Sequence, residues 1–224
     1  EVVATVAEPE VAEAAAPVIT APSGTLRANQ VAFAAWDIAL PFMEDTRIID
    51  GQRVAIVQTV VPGTDLETAG TWLEPGVRIY SVNGADVQLA GSVATSILNV
   101  MTVDPDGRAR VVVEYSGPSQ DRQTGLLTVE ANRLLSLGNG VNFAIRSIDG
   151  EWRTVVTGVT VPAVTQLRQG DVLYRDKVTG TALDAPASLE TIMAALVEQG
   201  TGVTEISILR DNKLATAAMQ LAAD

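Results

Sequence analysis

The chain has 224 residues, a formal net charge of −12, and neither cysteine nor histidine. These absences exclude a disulfide framework, a Cys-ligated metal, the Ser/His/Asp and Cys/His triads, and the paired-histidine zinc helix. A chain this acidic, without clustered Lys and Arg, also lacks the electrostatic footprint of a nucleic-acid or anionic-membrane binder.

Hydrophobic residues make up 47% of the chain and aromatic residues only 4%, so the cores are to be built from small aliphatic and β-branched side chains. The length suits two domains of about 100 residues each. No run of about 18 apolar residues occurs, so no membrane-spanning segment is expected. The acidity favours a basic partner by electrostatic steering, or serves solubility alone.

Residues 1–24 carry Glu1, Glu8, Glu10 and Glu13 with no basic residue before Arg27, and are punctuated by Pro9, Pro17 and Pro22. They read as a flexible acidic linker. The start at Glu1 suggests a processed or excised chain, tethered through an upstream anchor in a periplasmic or other extracytoplasmic setting. Strands are expected at Val31–Leu40 and Val54–Val60, the second ending at Pro62-Gly63. A helical turn over Thr64–Thr71 and the turn Leu73-Glu74-Pro75-Gly76 precede a strand at Val77–Val82. Asn83-Gly84 is a strong hairpin signal, because both turn residues must tolerate positive φ, and Val87–Leu89 is the expected partner strand.

Val93, Ile97, Leu98 and Met101 recur at helical spacing, with Ser92 as N-cap. After the turn Asp104-Pro105-Asp106-Gly107, a strand over Ala109–Tyr115 places Val111, Val113 and Tyr115 on one face. Ser116–Thr124 is polar and loop-like. The order then recurs: strand Val141–Ile148, turn Asp149-Gly150, strand Arg153–Val161, turn Leu167–Gly170 and strand Asp171–Arg175. Helix Leu189–Val197 with Ser188 as cap follows, then strands Thr204–Arg210 and Ala215–Leu221. The paired turns at Leu73 and Leu167 lie 94 positions apart, the paired helices at Val93 and Leu189 96, and the paired strands at Val111 and Ile206 95. A period this long makes a whole domain the repeating unit. The expected fold is α+β and mainly β, with domains at 25–118 and 119–224.

The run from Val60 to Ala69, followed by Leu73-Glu74-Pro75-Gly76-Val77 and an apolar strand ending in Asn83-Gly84, resembles the PDZ domain of bacterial proteins. Val77 replaces the usual Asp of the Leu-x-x-Gly-Asp turn. The second copy keeps that turn in full as Leu167-Arg168-Gln169-Gly170-Asp171, but replaces Asn-Gly by the longer Arg175–Gly180 turn. The resemblance covers roughly residues 30 to 222. It implies two PDZ-like, partly open barrels or sandwiches capped by helices.

The resemblance also implies recognition of a peptide or protein segment, including a free C-terminus, by strand addition beside a helix. A glycine-rich loop would hold the ligand carboxylate on backbone N–H groups. In the second domain that loop falls at Gly138, Asn139, Gly140, Val141, Asn142 and Phe143, which reads equally as an ordinary turn between domains. Its first-domain equivalent, Ala34-Ala35-Trp36-Asp37-Ile38, has no glycine, and Asp37 would repel a carboxylate. Trp36, Ile38, Val93, Ile97 and Met101 would line the first groove and Leu189, Ile192 and Met193 the second; each also suits a core position, as do Trp72 and Trp152.

Gly138-Asn139-Gly140 is followed by a strand and not a helix, so it is no phosphate loop. Asp104–Gly107 lacks the Glu that would complete a calcium loop. Lys177 and Lys213 sit in polar turns, unsuited to Ser-Lys chemistry. The chain is expected to be non-catalytic and to need no cofactor. The functions left open are a regulatory, peptide-binding part of a larger envelope protein and a scaffold or homo-oligomeric assembly module with filled grooves.

Overall fold

The computed structural model describes residues 31–49, 51–118 and 120–221; the expected acidic linker lies outside them. Three strands, β1 (Val31–Ala39), β2 (Phe42–Ile49) and β3 (Gln52–Val60), lead into a single helical turn α1 (Leu66–Ala69). Next come β4 (Arg78–Val82), β5 (Ala85–Asp86), α2 (Val87–Ala90), α3 (Val93–Val100) and β6 (Arg108–Ser116). The long β7 (Gln123–Leu137) is followed by β8 (Val141–Ile148), β9 (Glu151–Val159), a 3-10 turn and β10 (Val172–Asp176). Helix α4 (Ser188–Glu198), β11 (Val203–Arg210) and β12 (Lys213–Gln220) complete the chain. The fold is mainly β, and no helix of the described residues is long and apolar enough to cross a membrane.

Most boundaries follow local chemistry. Asn83 and Gly84 turn the chain at φ 47° and 79°, as the dipeptide predicts. Ser92 caps α3 through its hydroxyl, which accepts the Thr95 amide at 3.0 Å. Three local expectations are corrected. The strand partner after Asn83-Gly84 is Ala85–Asp86, while Val87 starts a helical turn because the Asp86 carboxylate accepts the Gln88 amide at 2.8 Å. Ser188 is the first helical residue of α4 and not its cap; its hydroxyl accepts the Ala185 amide instead. Strands also form at Phe42–Ile49, which the sequence reading left unassigned, and at Gln123–Leu137, whose first two residues fall in the stretch expected as a loop.

All the strands join one antiparallel sheet in the order β12-β11-β10-β9-β8-β7-β6-β4-β3-β2, with β1 on β7 and β5 on β4 as side branches. Two hydrophobic cores lie along it. The first gathers residues from β2 to β6 and α3, and the second residues from β8 to β12 and α4. Strand β7 serves both. Its first half pairs with β6, from Gln123 opposite Tyr115 to Glu130 opposite Arg108, and its second half pairs with β8 and, on the other edge, with β1. Because side chains alternate along a strand, its odd positions share one face. Leu127 and Val129 enter the first core, and Leu135 and Leu137 the second. The expected boundary at 118/119 falls in the loop before β7, yet the first core draws Leu127 and Val129 from beyond it.

The start of β6 abuts the end of β8 along the same edge of β7. Gly107, at φ +80°, donates nothing to this junction but accepts the Ala131 amide at 2.9 Å. A Cβ at Gly107 would fall 2.3 Å from the Ser147 Cβ.

The two halves also differ at one buried pair. In the second, Arg210 donates two bonds to the Asp171 carboxylate, at 2.8 and 2.6 Å, and one to the Gln166 carbonyl. This carboxylate raises the Arg210 pKa above its ordinary value. At the matching positions of the first half stand Val77 and Tyr115, both packed in or against the core. An ion pair thus stands in the second half where, 94 and 95 positions earlier, the first half has two side chains packed on its core.

Two outcomes follow in urea or thermal melts. Gly107→Ala is expected to cost about 2–4 kcal/mol, combining left-handed strain with the Ser147 clash. Gly150→Ala, with similar φ but open space around it, should cost only about 1 kcal/mol. Asp171→Ala is expected to cost about 2–3 kcal/mol, since it strands a half-shielded guanidinium. The double change Asp171→Val with Arg210→Tyr, importing the first half's pair, should cost less than half as much; a larger loss than the single change would refute the equivalence.

Candidate binding site at the strand edges

In the second half, Gly138, Asn139 and Gly140 form the tight turn between β7 and β8. The amides expected to hold an anion are bonded within the chain. Gly140 donates to the Leu137 carbonyl at 3.0 Å, and Val141 donates to the Asn139 side-chain oxygen at 3.2 Å. Asn139 is buried, and its amide group also donates to the Gln220 carbonyl, tying the turn to the end of β12. This corrects the expectation of an open anion nest in the second half.

The groove beside that turn is filled as well. The edge of β8 that would take a ligand strand is paired with β7, Leu135 standing opposite Phe143 and Ser136 opposite Asn142. Leu135 and Leu137 pack in one buried cluster with Val141, Phe143, Leu189, Ile192 and Met193. Arg133 of β7 reaches across to α4 and pairs with the Glu190 carboxylate. The residues expected to line a second groove therefore pack in a core that β7 completes.

The first half is arranged differently. Trp36 and Ile38 lie within β1, opposite Arg133 and Ala131 of β7, and not in a loop before β2. Trp36 stacks obliquely on Trp152 with centroids 6.3 Å apart, and the Arg133 guanidinium lies 5.5 Å from its ring centre. Ile38 packs against the first core, and Val93 and Ile97 are buried within it. Trp72 stacks on Tyr115 at 4.5 Å and donates its indole N–H to the Leu126 carbonyl. Only Leu40 and Pro41 separate β1 from β2, and β1 pairs with β7 instead of folding back on β2. Among the described residues, β2 has β3 as its single partner.

The orientation of that open edge follows from the ladder. Ile49 and Gln52 stand opposite each other at the end of the ladder as a hydrogen-bonded pair, and bonded pairs recur at every second residue. Val57, opposite Glu44, exchanges its bonds with Val77 and Gly76 on the far side, which fixes the same alternation independently. Glu44, Thr46 and Ile48 consequently turn their amides and carbonyls outward. The Glu44 carboxylate accepts the Val93 amide with its two oxygens at 2.9 and 3.2 Å, holding the N-terminus of α3 beside the edge. Met43 and Ile48 are 61% and 78% exposed.

Sequence reading missed this edge. The one signal was the Asp50-Gly51 dipeptide, a hairpin turn signal that makes Phe42–Ile49 the partner of the strand after it.

A cleft of about 370 Å³ opens nearby between Pro41, Thr64, Asp65, Arg108 and Glu130. The Thr68 hydroxyl, donating to Asp65 at 2.6 Å, holds that carboxyl below its ordinary pKa. Among the described residues no three His, Cys, Asp or Glu side chains are grouped to hold a metal.

No protein-family model matches the chain, and no curated protein matches it significantly.

Leu137→Ala and Ile192→Ala are each expected to lower stability by about 2–5 kcal/mol, as core truncations do. Urea midpoints would show this. Stability unchanged in both would return Ile192 to the lining of an open groove.

Proposed function

We propose that the chain is a non-catalytic binding module of two PDZ-like units, of which the first offers the edge of β2 to a partner. The observation that carries this is the difference between the two edges: β8 is paired by β7, whereas β2, among the described residues, is paired on one side only. An extended peptide or protein segment would add to β2, taking its register from the outward backbone groups of Glu44, Thr46 and Ile48. The adjacent α3 supplies the flank of the groove, and Glu44 and Asp45 favour a basic residue in the ligand. The second unit acts as the support that keeps the first in place, because they share β7. A structural assembly role is the second reading, favoured by the filling of the second groove.

The test is fluorescence polarisation with labelled libraries of free C-terminal and internal peptides. Thr46→Pro removes an outward amide, a position where proline is tolerated in an edge strand. It is expected to leave the melting temperature within a few degrees and weaken binding by about tenfold or more. Saturable binding indifferent to Thr46→Pro, or no binding by any peptide, would overturn this reading.

A further inference from the structure

We propose that the open edge of β2 also pairs with β2 of a second copy of this chain, joining two sheets across a two-fold axis at Thr46. This rests on the reading of β2 as a strand-adding edge and names one occupant for it. The argument is register and charge. Glu44, Thr46 and Ile48 present their backbone groups outward along the regular part of β2, so bonded pairs between copies are made among these residues. With Thr46 opposite its own copy, Glu44 faces Ile48, and Asp45 faces Arg47 twice, once on each side of the axis.

The neighbouring registers are disfavoured. Sliding one way puts Asp45 opposite Asp45; sliding the other way puts Arg47 opposite Arg47. Like charges directly opposite destabilise a strand pair, and opposite charges support it. The two side chains are already oriented together: within one chain, Arg47 donates to Asp45 at 2.8 Å on the exposed face of β2. In the pair, each guanidinium would lie near two carboxylates. The exposed Ile48 would gain cover from the neighbouring copy, and about six backbone bonds would form.

Sedimentation of the intact chain over a range of concentrations tests the proposal. A reversible monomer–dimer equilibrium is expected. Asp45→Arg alone and Arg47→Asp alone should each weaken it by about tenfold, because each replaces two attractive contacts by repulsive ones. The double exchange, Asp45→Arg with Arg47→Asp, should restore the original strength. Thr46→Cys, in a chain otherwise free of cysteine, should cross-link the dimer on oxidation. Opposed Cα atoms of a bonded pair lie about 5.5 Å apart, within disulfide range.

A chain monomeric at every concentration, or single reversals without effect, would overturn the self-pairing. Peptide binding sensitive to Thr46→Pro would still stand in that case, so the two readings fail separately. If both hold, peptide affinity falls as chain concentration rises, because the two occupants compete for one edge.

Discussion

Everything in this fold hangs on β7 lying in register with two sets of partners at once. Its fifteen residues pair with β6 at one end and with β8 and β1 at the other, while one face supplies leucine and valine to both cores. A slip of one residue would turn that face to solvent along the whole strand. The register is therefore fixed twice, by two cores that must agree. The contact between Gly107 and Ser147 is the geometric result: two strands meet end to end along one edge, and only a residue without a side chain fits at the meeting point.

The open edge of β2 follows from the same arrangement. Were β1 to fold back on β2, it would cover that edge as β7 covers β8. Instead β1 pairs along β7, from Val31 opposite Leu137 to Ala39 opposite Glu130. An exposed edge invites indiscriminate pairing, and charges along it are the usual defence. Glu44, Asp45 and Arg47 fit that role, and Glu44 is further engaged in holding α3.

The sequence made some of this legible and hid the rest for identifiable reasons. Strands β3, β4 and β6 are half-buried, so their β-branched residues alternate visibly, and α3 shows both its apolar spacing and its cap. The turns and helices keep a near-constant spacing of 94 to 96 positions, which the sequence alone displays. Strand β2 was hidden because its two faces are mostly exposed, which leaves no alternation to find. In β7 the alternation exists at Leu127, Val129, Ala131, Leu135 and Leu137, but Arg133 interrupts it, since that side chain pairs with Glu190 on α4. The glycines at 138 and 140 signalled a special backbone correctly. Whether their amides faced a ligand or the chain itself depended on where β7 lay, which no local pattern records.

The shared strand also decides how the molecule can be divided. A cut in the polar loop after Ser116, where composition alone places the joint, leaves the first half without Leu127 and Val129 and bares the full length of β6. The second half, begun at the same point, would carry half a strand with no neighbour. A self-sufficient first piece has to run on to Ala131, and a self-sufficient second piece has to begin before Arg133 and forgo β1. The seam of this protein thus runs lengthwise through a single strand, and each unit is completed by backbone that its neighbour also needs.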